Sequence, residues 1–197
     1  MAILKHISVK NRFYSSAVEY LTCQFDEYTN KPVLDKKGRI QERENYMITG
    51  VNCDVDSFGA ECIEVNRLYG KNNSVRDVKA HHYIISFEPN DPITMEQALE
   101  FGKQWLEVFA PGHQAVVAVH PDGHNGSQNM HVHMVINSVR KYAGKQSRWH
   151  EKPCEWKQGC KHKSTGKMMF HAKKWVMEKC IRLGFGQVDL LAKKHTD

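Results

Sequence analysis

The chain has 197 residues, 41% of them hydrophobic, 25% charged and 10% aromatic, the composition of one ordinary globular domain whose core needs no staples. No apolar run approaches the roughly 20 residues of a membrane span. The opening Met1-Ala2-Ile3-Leu4-Lys5-His6 lacks the charged head and apolar stretch of a signal peptide, so a cytoplasmic protein is expected. Six scattered cysteines (Cys23, Cys53, Cys62, Cys154, Cys160, Cys180) form no dense framework, and free thiols are the default. The net charge of +6 is unevenly spread: residues 1–137 carry 13 Lys+Arg against 17 Asp+Glu, residues 138–197 carry 15 against 5. A basic C-terminal third points to a polyanion such as nucleic acid, although a solvated lysine-rich face gives the same count.

Taken in order, Ala2 to Val9 predicts a strand, since apolar and β-branched residues dominate it. Ser15 and Ser16 offer N-caps for a helix through Ala17, Val18, Leu21 and Thr22. Asp26 to Asn45 is polar and charged, an exposed and mobile connection, followed by a short strand from Tyr46 to Val51. Asp56 begins a helix ending at Gly70, and His82 to Phe87 is a strand. Thr94 caps a helix to about Phe109, closed by Pro111-Gly112. Gln114 to His120 and Met130 to Val139 predict a hairpin across a Gly/Asn/Ser-rich loop. Residues 140–168 are basic and short of aliphatics, hence irregular, and His171 to Leu183 is the last helix. This order implies an α+β domain: a four- to five-stranded antiparallel sheet with helices on one side, the other face left for a ligand.

The segment His131-Val132-His133-Met134-Val135-Ile136-Asn137 carries the most information. On a strand, residues i and i+2 share a face, so His131 and His133 stand side by side while Val132, Met134 and Ile136 face the core. The hairpin brings His120 beside them, completing three imidazoles of the kind that hold a divalent metal with positions open to substrate oxygens. His124, in the loop, is the weaker substitute for His120. Alternation places Asn137 on the same face, where it could fix a ligand or a phosphate.

This pattern, His120…His131-x-His133…Asn137, resembles the HUH motif of relaxases, the nicking enzymes of conjugative transfer. Ala17-Val18-Glu19-Tyr20-Leu21-Thr22, with Ile48-Thr49-Gly50-Val51-Asn52-Cys53 later, is similar to the first motif of the plasmid mobilisation group, and His82-Tyr83-Ile84-Ile85-Ser86-Phe87 resembles that family's H-x-x-x-S-F strand. The resemblance runs from Met1 to about Gly184, with a longer gap than usual between His120 and His131. It implies a single catalytic domain over residues 1–197, within which 140–168 is a basic, mobile DNA-binding segment, and further C-terminal regions beyond it. It also implies Tyr20 as nucleophile, a metal on His120, His131 and His133, and strand-specific nicking of single-stranded or hairpin DNA at an origin of transfer through a 5′-phosphotyrosyl bond. Accessory relaxosome and coupling proteins of a bacterial cytoplasm are the implied partners.

A phenol with pKa near 10 is a weak nucleophile at neutral pH and needs a metal or a base beside it; His82 is the candidate base, with a purely structural histidine the alternative. Tyr14 and Tyr28 compete with Tyr20, but Tyr20 sits in the predicted helix. Mg²⁺ or Mn²⁺ is expected, although three imidazoles suit Mn²⁺ or Zn²⁺ better than Mg²⁺. Arg140, Lys141, Arg148, Trp149, Lys152, Trp156 and Lys157 interleave cations with aromatics, as a surface for single-stranded DNA does. Cys154, Cys160 and His162 hint at zinc, but their spacing is not a standard one. The rivals are an HUH replication initiator or transposase-type nuclease, which carries its tyrosine after the histidines, a non-catalytic DNA-binding module with a structural metal, and a metallohydrolase without a covalent intermediate.

Overall fold

The computed structural model describes residues 3–10, 14–26, 29, 31–122, 129–152, 154–186 and 189–192. The elements run β1 (Ile3–Val9), α1 (Ser15–Thr22), β2 (Met47–Val51), α2 (Phe58–Leu68), β3 (Ala80–Ser86), α3 (Met95–Phe109), β4 (His113–His120), β5 (His131–Arg140) and α4 (Gly166–Leu183). The five strands form one antiparallel sheet in the order β1-β3-β5-β4-β2. The sheet agrees with the sequence reading, and so does the β4–β5 hairpin. Among the described residues no helix is long and apolar enough to cross a membrane.

The helices occupy both faces. On one, Tyr83, Ile85, Val117, Val119, Val132, Met134 and Ile136 meet Phe101, Trp105 and Phe109 of α3 and Met168, Ala172 and Val176 of α4. Gly102 permits this approach, because a Cβ there would stand 2.5 Å from Val132 Cγ1. On the other face Tyr14, Leu21, Phe58 and Cys62, from α1, α2 and the turn before α1, cover Ala80, Val116, Ala118 and Val135. The expected one-sided arrangement therefore holds for α3 and α4 and needs correcting for α1 and α2. Their apolar residues are too few to show a full stripe in sequence, yet they bury a second, smaller core.

Local chemistry accounts for most boundaries. Thr94 caps α3 with a complete capping box: its hydroxyl accepts from Gln97 N, and the Gln97 side chain accepts from Thr94 N. Helix α1 lacks the expected serine cap, and Tyr14 precedes it with no side-chain cap bond. Helix α4 starts at Gly166, capped by Thr165, so the final residues of the supposedly irregular 140–168 segment are helical. The connection from Cys23 to Glu42 folds back on itself, with Gln24 N donating to Gln41 O and Val33 N to Gln24 O. Its described residues are mostly exposed, as expected, and partly paired.

Candidate active site

Strand register assembles the histidines. His131 lies opposite His120 on β4 and opposite Ser86 on β3, and His133 lies between Ala118 and Ile84. His82 is across from Val135, one diagonal step from His133. All four imidazoles therefore project onto the face that α1 and α2 partly cover. Ring centroids are 4.6 Å apart for His120 and His133, 5.5 Å for His131 and His133, and 5.2 Å for His82 and His133. All four residues are at least nine-tenths buried.

Helix α1 carries Tyr20 to this cluster. Its ring centroid is 6.0 Å from that of His82 and 6.3 Å from that of His133, both edge-on. Among the described residues its hydroxyl has no hydrogen-bond partner, and beside it a cleft of about 530 Å³ opens between β1 and α1, lined by Lys5, Ile7, Tyr20 and His82 among others. Tyr14 has the opposite surroundings. Only 4% exposed, its hydroxyl donates to Lys79 O and accepts from Asn66 Nδ2 at 2.7 Å, and burial pushes its pKa well up. It is a core residue. Tyr28 and His124 lie outside the described residues.

Burial favours the neutral imidazole at His82, His120 and His133. His82 and His120 are lowered to about 4 and His133 well below its ordinary value, desolvation being the largest cause and neighbouring positive charge the next. Neutral imidazole is the form that binds metal. His133 Nδ1 is 3.0 Å from His82 Nε2, and among the described residues His133 Nε2 is buried without a partner, as a ligand nitrogen held by an outer hydrogen bond would be. His120 Nε2, however, is 2.7 Å from Leu21 O. Among the described residues no group of three or more His, Cys, Asp or Glu stands in the geometry of a filled site. The side chains present, three neighbouring imidazoles, are of the type that binds divalent ions, with His120 Nε2 turned to Leu21 O.

Other expected residues stand elsewhere. Asn137 shares the histidine face, but four residues beyond His133 it is roughly 13 Å along the strand. Its amide donates to Gln114 Oε1 and accepts from the Tyr14 hydroxyl at 3.3 Å, so it belongs to the core network around Tyr14 and not to a metal's surroundings. The segment after β5 lies at the opposite end of that strand from His131. Arg140 is 2% exposed and donates to Pro111 O and Glu155 O, so its place on a DNA surface needs correcting: it ties the segment to the sheet. Trp149 is likewise packed on Phe109, at 4.8 Å, and Lys141 pairs with Glu61 at 3.0 Å. Trp156 stacks on His150, whereas Arg148, Lys152 and Lys157 are exposed. His162 is buried on the Tyr83 hydroxyl while Cys154 is exposed, so the zinc spacing finds no common centre.

Sequence reasoning passed over Arg43, which is bonded to Asp122, two residues past His120; one arginine among charged neighbours looks in sequence like any solvated side chain.

The site is thus a buried histidine cluster on the central strands of an antiparallel sheet, faced by a tyrosine on a covering helix. The family of MobA/VirD2-like relaxases, nuclease domain, matches residues 28–165, and the chain belongs to that family. The match includes His82, His120, His131 and His133 and leaves Tyr20 and α1 outside it. "Protein rlx" of Staphylococcus aureus is 38% identical over 97 residues, and the "Group II intron-interrupted relaxase LtrB" of Lactococcus lactis subsp. cremoris is 40% identical over 99. These matches cover 49% and 50% of this chain but 28% and 15% of the relatives, so the chain spans a minor part of their length. The fold is similar to a solved structure described as the molecular basis of vancomycin resistance transfer in Staphylococcus aureus, with TM-score 0.56 and 16% identity over 98% of this chain and 100% of that one.

Proposed function

We propose that this domain nicks one strand of DNA at an origin of transfer and holds the cut end covalently. The observation that carries the reading is the placement of Tyr20 against His82 and His133 at 6.0 and 6.3 Å between ring centroids. The Tyr20 oxygen attacks the scissile phosphorus; the Oη–P bond forms, the P–O3′ bond breaks, and the phosphate stays on Tyr20 as a 5′-phosphotyrosyl ester. The phenolic proton passes to a base, for which neutral His82 is the nearest imidazole, and the departing 3′ oxygen gains a proton. The ester conserves the bond energy for religation. His120, His131 and His133 would hold a divalent ion, Mg²⁺ or Mn²⁺ with Zn²⁺ as the alternative, which when bound polarises the phosphate and offsets its growing charge. Helix α1 places the nucleophile; His82 is either that base or, with Nε2 accepting from His133 Nδ1, the residue that orients His133, since its other ring nitrogen then carries the proton. Relaxosome and coupling proteins would present the DNA in a bacterial cytoplasm, and Arg148, Lys152 and Lys157 would meet its backbone away from the cut.

The test uses Mn²⁺, a labelled single-stranded oligonucleotide spanning the transfer origin of the encoding element, and denaturing gels. Wild type should give a nick and a protein–DNA adduct, both lost in Tyr20→Phe and His131→Ala. A nick that survives Tyr20→Phe would move the nucleophile elsewhere, and no cleavage of a verified origin would favour a non-catalytic DNA-binding module.

A further inference from the structure

Arg43 is strapped between the two halves of the candidate site. Its backbone N–H donates to Thr22 O at 2.9 Å, at the end of the helix that bears Tyr20. Its Nη1 donates to Asp122 Oδ2 at 3.1 Å, two residues past His120. The arginine side chain is 13% exposed and the aspartate 63%, so a mostly buried cation is met by a carboxylate that remains in water. Nε of Arg43 is fully buried and, among the described residues, has no hydrogen-bond partner. Leaving a donor of a charged group buried and unpaired is costly, which is anomalous for a side chain that serves only to tie the end of α1 to the end of β4.

Donor geometry suggests what completes it. Asp122 takes Nη1 and leaves the Nε–Nη2 edge, two parallel N–H donors that match two oxygens of one phosphate. The bond to Asp122, two residues past His120, holds the guanidinium at the His120 end of the histidine cluster. Those histidines bring no negative charge of their own to repel a phosphodiester.

We propose that Arg43 grips the phosphate that Tyr20 attacks, donating from Nε and Nη2 to its non-bridging oxygens as the Oη–P bond forms and the P–O3′ bond breaks. This rests on the nicking reading above. Fixed donors aimed at charge that develops during reaction are worth roughly 10²–10³ in rate, and Asp122 keeps the guanidinium in place between substrates.

The experiment compares wild type, Arg43→Gln, Arg43→Lys and Arg43→Ala in single-turnover adduct formation on the labelled origin oligonucleotide with Mn²⁺. Arg43→Gln should lose about 10²–10³-fold in rate with its DNA affinity within threefold, and Arg43→Lys should recover part of the loss. Added guanidinium should rescue Arg43→Ala. A phosphorothioate at the scissile position should slow wild type in one diastereomer and lose that discrimination in Arg43→Gln. A wild-type rate in Arg43→Gln would overturn the proposal and leave the nicking reading standing. So would a rate loss that comes with a lowered melting temperature, an unchanged thio effect and no guanidinium rescue, the signs of a merely structural strap. No adduct from wild type would remove the nicking reading itself and the proposal with it.

Discussion

His82 Nε2 and His133 Nδ1 stand 3.0 Å apart, joining β3 to β5 across the face that holds the other two histidines. With Nδ1 so engaged, the opposite nitrogen of His133 points into the cluster. His82→Ala should weaken Mn²⁺ binding by about 10–100-fold, the usual effect of removing an outer hydrogen bond from a ligand histidine. Calorimetric titration measures this directly. If His82 only orients His133, saturating Mn²⁺ restores the rate of adduct formation; a rate still depressed at saturation would make His82 the base for Tyr20.

Two tyrosines on adjoining turns should behave in opposite ways. Tyr20→Phe removes an unpartnered hydroxyl and should abolish the adduct with little change in melting temperature. Tyr14→Phe removes a buried hydroxyl bonded to Lys79 O, Asn66 and Asn137. It should cost about 1–3 kcal/mol of stability while retaining nicking at permissive temperature. Thermal melts beside adduct assays decide the matter, and equal melting temperatures for the two variants would show the Tyr14 network to be unimportant.

A second set of imidazoles governs acid stability. His6, His81, His113 and His162 lie on the α3/α4 side of the sheet: His6 Nε2 is 3.0 Å from His81 Nδ1, His162 sits on the Tyr83 hydroxyl at 2.8 Å, and His113 Nδ1 meets Asn137 O at 2.8 Å. Burial lowers His81 to about 3 and puts His113 and His162 well below the ordinary value, with Arg140 and Lys161 adding positive charge nearby. The folded state therefore refuses protons that the unfolded chain accepts near pH 6.5. Stability should be full above that pH and fall as the pH drops below it, by up to about 1.4 kcal/mol per pH unit for each such histidine. Urea unfolding in EDTA from pH 8 to pH 5 should show this slope, reduced in His113→Gln; a profile flat from 7 to 5 would contradict it.

The basic segment should divide into structural and DNA-facing cations. Arg140→Met leaves the Pro111 and Glu155 carbonyls without their donor and should loosen the segment, read as faster proteolysis there. Replacing Arg148, Lys152 and Lys157 together by alanine should leave the fold intact and weaken single-strand binding. For every phosphate that is no longer neutralised, the slope of log K against log salt should flatten by about 0.7. A triple variant with the wild-type slope would remove these residues from the DNA surface.

Period-two patterning carried much of the fold. The alternation of His131, His133 and Val135 against Val132, Met134 and Ile136 is a local rule, and the sheet obeys it. What stayed hidden depended on side chains meeting across long sequence gaps. Arg140 follows a core strand and heads a basic run, so charge patterning assigns it to solvent, whereas the Pro111 turn and the 155 carbonyl enclose it. Tyr14 and Tyr20, six residues apart, differ in sequence by the predicted helix and the motif alone; the burial of Tyr14 comes from α2, which brings Asn66 to its hydroxyl. Arg43 had no local signature, because its importance comes from Thr22 and Asp122.

The strand order β1-β3-β5-β4-β2 also distributes resistance to opening. The candidate metal residues lie on β4 and β5 and His82 on β3, strands hydrogen-bonded on both sides, whereas Tyr20 rides on an eight-residue helix joining the edge strands β1 and β2. Amide hydrogen exchange should follow that division, slow through the three inner strands and fast through α1 and β1. If the domain holds a cut DNA end as proposed, local opening of α1 would move Tyr20 in and out at a cost below that of disturbing the histidines.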